Sequence, residues 1–305
     1  MAAQTVSRET TTPESHGHGH HQPHQDGWDA AGARLEGEAE MSLGFLEGAA
    51  NWLAELTRDR PVRRILDIGS GPGVGSCVLA SAFPGAVIGA VDGSAPLLER
   101  ASARAARLGL GERLVVTQQD LPDGLDLLEP ADIVWASRVV HHLGDQEAAV
   151  RRMAALVRPG GVLAIAEGGL SLRSLPRDIG IGRPGLEARL DVAQQDWFSE
   201  MRAAQPGAAS TAEHWPGILA DAGLTPCGTR SFLVDHTAPL DARTRAVVVG
   251  WWGGIRERLA DQISAEDRAT VERLLDPQDE EGLYRRPDLF VLMATTVHAG
   301  RATTP

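Results

Sequence analysis

Residues 66–76 read LDIGSGPGVGS. An apolar run ends in an acid, Asp67, then gives way to a turn with glycine at 69, 71 and 73 before a helical stretch begins. Glycine removes the Cβ where the chain must turn tightly and where a ligand must approach the backbone. The spacing is not GxGxxG, because counted from Gly69 the third position is Val74, and counted from Gly71 it is Ser76. A dinucleotide turn of that kind is therefore disfavoured. What remains is DxGxGxG at the end of a strand.

Around this turn, five β-rich runs alternate with helical stretches: RILDIG (64–69), AVIGAVD (86–92), RLVVTQQD (113–120), ADIVWAS (131–137) and GVLAIAE (161–167). That rhythm predicts a parallel sheet covered on both faces, with ligands at the carboxyl ends of its strands. Before it, Met41, Phe45, Ala49, Trp52, Leu53 and Leu56 recur at helical spacing. Beyond Glu167 the rhythm breaks. Apolar stripes from Leu186 to Met201 and from Val248 to Leu259 read as helices, and residues 223–234 and 288–297 read as two further strands, expected to form an antiparallel pair. The whole predicts an α/β fold, a Rossmann-like seven-stranded, mostly parallel sheet with helices on both faces and helical lid insertions. The lid, about 170–222 and 238–286, is expected to be mobile.

Composition narrows the function. The 41 acidic residues outnumber the 29 basic ones, for a net charge of −12, a field that repels nucleic acid. Every basic residue is arginine, which removes Schiff-base and P-loop lysine chemistry. Two cysteines, Cys77 and Cys227, make neither a disulfide framework nor a metal pair. No run reaches the roughly 18 apolar residues of a membrane span, and no signal peptide is evident. A cytoplasmic protein acting on a small molecule, without nucleic acid or membrane and possibly as a homodimer, is expected. Residues 1–26 hold five of the ten histidines, between His16 and His24, and read as a disordered tail to which no metal site is assigned.

Acids also end the other strands. Asp92 follows Asp67 by 25 residues, Asp120 stands beside Leu121, and Glu167 closes the fifth run. Such a rim suits a cationic nucleoside with free ribose hydroxyls better than a phosphate ligand. His141 and His142 follow the fourth strand, where one could face the cleft or both could simply cap the next helix. His214 and His236 are weaker candidates for the pocket, and Trp197, Phe198, Trp251 and Trp252 could form an aromatic wall or lid core.

From about Arg63 to Gly168 the chain resembles the class I S-adenosylmethionine-dependent methyltransferases of small-molecule, natural-product and sugar type. The resemblance is carried by LDIGSGPG, the acid of AVDGS, the QQDLP turn, WASRVVHHL and VRPGG. It implies S-adenosylmethionine as cofactor, with Asp67, Gly69, Ser70, Gly71 and Gly73 around its methionine and ribose. Asp92 and Gly93 would lie at the ribose hydroxyls, Asp120 and Leu121 at the adenine, and Ser137 and Arg138 near the methionine end. Arg34 is a further candidate for the cofactor carboxylate. It also implies His141, with Glu167 and His142, as the acceptor-side catalytic set, although an aspartate often stands where this chain has Glu167. The domain plan that follows is a tail (1–26), a helical segment (27–60), a cofactor-binding core (61–168), and C-terminal strands with substrate and lid insertions (169–305). O-methylation is expected; N- or C-methylation, or a silent cofactor-binding module, are the alternatives.

Overall fold

The computed structural model describes residues 25–304, with side chains from residue 32 onward. The histidine tail lies outside the described residues. Two helices, α1 (Gln25–Met41) and α2 (Leu43–Leu56), open the chain, broken at Ser42. The buried face of α2 carries Phe45, Ala49, Trp52 and Leu53 from the stripe that the spacing picked out, joined by Leu46 and Ala50.

The core then runs β1 (Arg64–Ile68), α3 (Val74–Ala82), β2 (Val87–Asp92), α4 (Ala95–Arg107), β3 (Leu114–Gln118), β4 (Ala131–Ser137), α5 (Gln146–Ala155) and β5 (Val157–Arg173). After it come α6 (Leu186–Ala203), α7 (Trp215–Asp221), β6 (Leu224–His236), α8 (Ala242–Arg258), α9 (Ala265–Leu275) and β7 (Val291–Ala302). Among the described residues, seven strands form one sheet in the order β3-β2-β1-β4-β5-β7-β6, parallel except for β7, which is antiparallel to both neighbours.

That order positions the site. From β1 the chain steps outward through β2 and β3, then returns to lay β4 on the other side of β1. The two directions diverge between β1 and β4, so their carboxyl ends leave a crevice there. The glycine turn leaves β1 into this crevice, and Ser137–Arg138 leave β4 into it. Within β1, Ile65 packs with Phe45 and Leu53 on one face, while Leu66 and Ile68 pack with Val150 and Met153 on the other. Alternation therefore turns Asp67 toward α3.

Two expectations need correction. β5 does not end at Glu167. Gly168 (φ +71°) and Gly169 (φ +124°) form an irregularity through which pairing with β7 continues to Arg173, and a Cβ at Gly169 would stand 2.1 Å from the Ala294 carbonyl oxygen. The glycine pair that reads as a strand stop is a bulge. α7 is not lid, because Trp215, Ile218 and Leu219 pack into the core on the α5 face. Within the lid Trp252 is fully buried and donates from Nε1 to Ser174 Oγ at 2.9 Å, and Arg189 of α6 pairs with Asp267 of α9.

Gly73 is the left-handed N-cap of α3 (φ +75°), and a Cβ there would meet Ala101 Cβ at 2.5 Å and its Cα at 2.8 Å. Gly73 thus sets the approach of α3 to α4. Gly73→Ala is expected to cost about 2–4 kcal/mol through backbone strain and overpacking. Chemical denaturation reads this directly, and an unchanged midpoint would contradict so close an approach.

Candidate active site

Two cavities lie side by side at the carboxyl ends of the strands, sharing Glu38, Ser42 and Arg138 in their walls. The first, about 480 Å³, is floored by the glycine turn and by Asp67, Asp92, Gly93, Leu121 and Ser137, and roofed by α1 and α2. The second, about 500 Å³, lies over the extended ends of β5 and β7, beneath α6 and α8.

In the first cavity Gly69 and Gly71 have positive φ (+67° and +53°), and a Cβ on Gly71 would meet no protein atom within 4 Å. The backbone here is bare toward the open space. Asp92 Oδ2 accepts from Gly71 N at 2.9 Å and Oδ1 from Ser94 N at 2.9 Å. Each carboxylate oxygen has a second acceptor direction, so Asp92 both ties the two loops together and can still receive ligand hydroxyls. Ser70 Oγ lines the cavity, buried and with no protein partner. Asp67 accepts from Ser76 Oγ at 2.5 Å, and burial pushes its pKa up to about 7, with the Ser76 bond opposing and nearby Asp92 adding. A buried group of acceptors that repel one another suits a cationic ligand bearing hydroxyls.

His141 and His142 lie on a 3-10 turn, Val140–His142, immediately after β4. Glu167 Oε1 accepts from Val139 N at 2.9 Å and Val140 N at 2.8 Å, and Oε2 is 2.8 Å from His141 Nδ1. From α6, Arg202 clamps the same turn by donating to the carbonyls of His141 (2.9 Å) and Leu143 (2.6 Å). The carboxylate accepts the Nδ1 proton, which leaves Nε2 as the ring's acceptor. His141 lines the second cavity and His142 the first, with ring centroids 4.1 Å apart. Burial, with His141 adding, holds the His142 pKa below its ordinary value, against an opposing pull from Glu167.

Most residues singled out from the sequence meet at these cavities, with exceptions. Gly73 does not line the cavity but packs on Ala101, and Asp120 is exposed beyond the end of β3, outside the wall that Leu121 joins. His142 faces the first cavity rather than the acceptor side. Arg34 does not reach the first cavity but pairs with Glu38 at 2.9 Å. His214 is exposed at the start of α7, and His236 Nε2 bonds the Met41 carbonyl at 2.8 Å. Sequence reasoning missed Glu38, Ser42, Arg202 and Arg258. Arg258 alone carried a signal, as an arginine beside the apolar stripe of α8.

A family model described as a methyltransferase domain matches residues 66–163, from the first residue of the glycine motif to the middle of β5. Residues 66–163 are a methyltransferase domain. Over 147 residues the chain is 33% identical to 27-O-demethylrifamycin SV methyltransferase of Amycolatopsis mediterranei (strain S699), covering 47% of this chain and 50% of that protein. Over 158 residues it is 34% identical to the ubiquinone biosynthesis O-methyltransferase of Caulobacter sp. (strain K31), covering 48% and 60%. It thus spans about half the length of the curated relatives it matches. An O-methyltransferase family protein of Burkholderia thailandensis superposes with a TM-score of 0.48 at 17% identity, covering 91% of this chain and 60% of that one.

The cofactor of this methyltransferase domain is S-adenosylmethionine, and the first cavity fits it. The bare Gly71 backbone, the orphaned Ser70 hydroxyl and the free acceptor directions of Asp92 are what a ribose-bearing sulfonium requires. Among the described residues no helix is long and apolar enough to cross a membrane.

The raised pKa of Asp67 gives a testable sign. The ligand-free protein holds a proton on Asp67 that the unfolded chain loses above 3.8. Its contribution to stability is therefore present at acid pH and lost as pH rises from about 4 to about 7. A cation in the cavity favours the ionised form, so binding near pH 6.5 should release a proton, and affinity should rise from pH 6 to 8. Calorimetry in buffers of different ionisation enthalpy detects the release. Binding with no proton exchange in the wild type, or the same exchange in Asp67→Asn, would contradict the assignment.

Proposed function

We propose that the protein transfers a methyl group to a hydroxyl oxygen of a small molecule in the second cavity, with His141 taking the hydroxyl proton. S-adenosylmethionine, when bound, supplies the methyl as an activated sulfonium, so the transfer is an in-line displacement. The protein's part is to hold the acceptor at near-attack distance, exclude water and receive a proton. Ser70, Gly71 and Asp92 would hold the cofactor, and Arg138 stands where both ligands would meet. Trp197, Phe198 and Trp251 wall the acceptor space and keep water out.

The observation that carries this reading is the Glu167 carboxylate. It fixes the turn through two backbone N–H groups and the His141 ring through Nδ1, so that Nε2 is the free acceptor. The extra methylene of glutamate relative to aspartate is used to reach both. Once Nε2 is protonated, the neighbouring carboxylate stabilises the imidazolium. The named relatives, one acting on a rifamycin and one in ubiquinone biosynthesis, support an oxygen acceptor and, for the former, a substrate from secondary metabolism.

The test is transfer of labelled methyl from S-adenosylmethionine to a panel of phenols, sugar alcohols, amines and activated carbon acids. Ether products from a hydroxyl acceptor support the reading. Transfer confined to amines or carbon would displace it in favour of an N- or C-methyltransferase.

A further inference from the structure

Arg138 and Arg258 both line the second cavity, and neither makes an ion pair with a carboxylate among the described residues. A guanidinium offers five N–H donors. Arg138 uses one, in a long bond of 3.4 Å to Thr295 Oγ1, and the Arg258 side chain makes no hydrogen bond among the described residues. Arg138 is exposed and Arg258 half-buried, whereas the buried arginines are committed, Arg104 to Glu36 and Glu40 and Arg286 to Asp288. The cavity's own carboxylates do not supply the missing acceptors. Glu167 is taken by the histidine turn and Glu213 is exposed at the rim, while Glu38, which accepts from Arg34, attracts both guanidiniums through space without hydrogen-bonding either.

Both cations are also held in place. The Arg258 guanidinium lies 5.4 Å from the Trp197 ring centroid and rests on Gly254, where a Cβ would stand 2.8 Å from Nη1. Arg138 is the one non-glycine residue with positive φ among the described residues (φ +57°), a strained backbone state that aims its side chain into the cleft. The donors of both guanidiniums are open to solvent, and an occupant that displaces water from the cavity for methyl transfer would leave them unpaired unless it brings acceptors of its own.

We infer that the acceptor carries an oxyanion, a carboxylate or a phosphate ester, bound by Arg258 and Arg138, with its planar part against Trp197 and Trp251. The planar fork of a guanidinium matches such groups through paired hydrogen bonds, and arginine favours aromatic faces at the same time. The anion is a recognition handle and His141 faces the reacting hydroxyl. The inference rests on the reading of the second cavity as the acceptor site, but it concerns binding and can be tested without turnover.

The probes are hydroxybenzoic and hydroxycinnamic acids, their primary amides, and the matching hydroxyaryl phosphates. They are titrated against tryptophan fluorescence with S-adenosylhomocysteine present. At least one acid or phosphate should bind about tenfold or more tighter than its neutral counterpart, as charge-assisted bonds imply, and which of the two series wins identifies the oxyanion. Arg258→Met should erase the preference and Arg258→Lys should keep part of it, with S-adenosylhomocysteine affinity unchanged in both, which also reports that they fold. The inference is overturned if no anion outbinds its neutral partner. It is equally overturned if Arg258→Met keeps the preference, or if that variant weakens S-adenosylhomocysteine in step. Because hydroxyl, amine and carbon acceptors are separated by the labelled-methyl assay, loss of the O-methylation reading would leave this result legible.

Discussion

His141→Ala is expected to slow methyl transfer by a factor of about 10² to 10⁴ at saturating cofactor, the usual contribution of a positioned base. The variant removes the only ring whose Nδ1 is held by Glu167, and with it the acceptor Nε2 facing the second cavity. Cofactor binding should survive, because His141 does not line the first cavity. The measurement is initial rate against pH from 6 to 9, using the best hydroxyl acceptor of the panel. The rate of the variant should stay low at every pH in that range. Glu167→Gln separates orientation from charge. The amide oxygen can still accept from Val139 and Val140 if its NH₂ turns to His141, which then forces the ring to accept at Nδ1 and donate at Nε2. Its rate should therefore fall nearly as far as that of His141→Ala. His142→Ala should act differently, chiefly on cofactor affinity, because its ring faces the first cavity. Near wild-type rates and an unaltered profile in His141→Ala would remove the base and favour an acceptor that needs none.

Asp92→Ala is expected to weaken S-adenosylhomocysteine binding about 10- to 150-fold, the equivalent of 1.5–3 kcal/mol for hydrogen bonds to a charged group. The loss has two sources. Ligand hydroxyls lose their acceptor, and Gly71 N and Ser94 N lose the carboxylate that ties their loops into one floor. Asp92→Asn keeps an acceptor for one loop at most and should fall between. Equilibrium calorimetry distinguishes these outcomes, and unchanged affinity in Asp92→Ala would move the ribose elsewhere.

The glycine turn, Asp92 and the parallel strands were legible because central strands of a parallel sheet are continuous apolar runs, and topology alone sends their carboxyl ends to one crevice. Which way each residue faces there was not legible. Gly73 and Gly71 look alike in sequence, yet one is pressed against Ala101 and the other stands open to the cavity; only the packing of α3 on α4 separates them. His141 and His142 part because they sit on a 3-10 turn, where successive side chains diverge by a third of a turn. Glu167 has a role set by three partners 26 to 28 residues away. Arg258 and Trp197 meet only when α6 and α8 are laid over the sheet, a contact across more than sixty residues of chain that no local pattern records.

The most direct test of the account is a crystal structure of the protein with S-adenosylhomocysteine bound. The ligand should lie in the first cavity, with its ribose on Asp92 and Ser70 engaged, and the second cavity should stay open beside it, with His141 Nε2 facing that space. Ligand density in the second cavity among Trp197, Phe198 and Arg258, or a ribose without contact to Asp92, would contradict it.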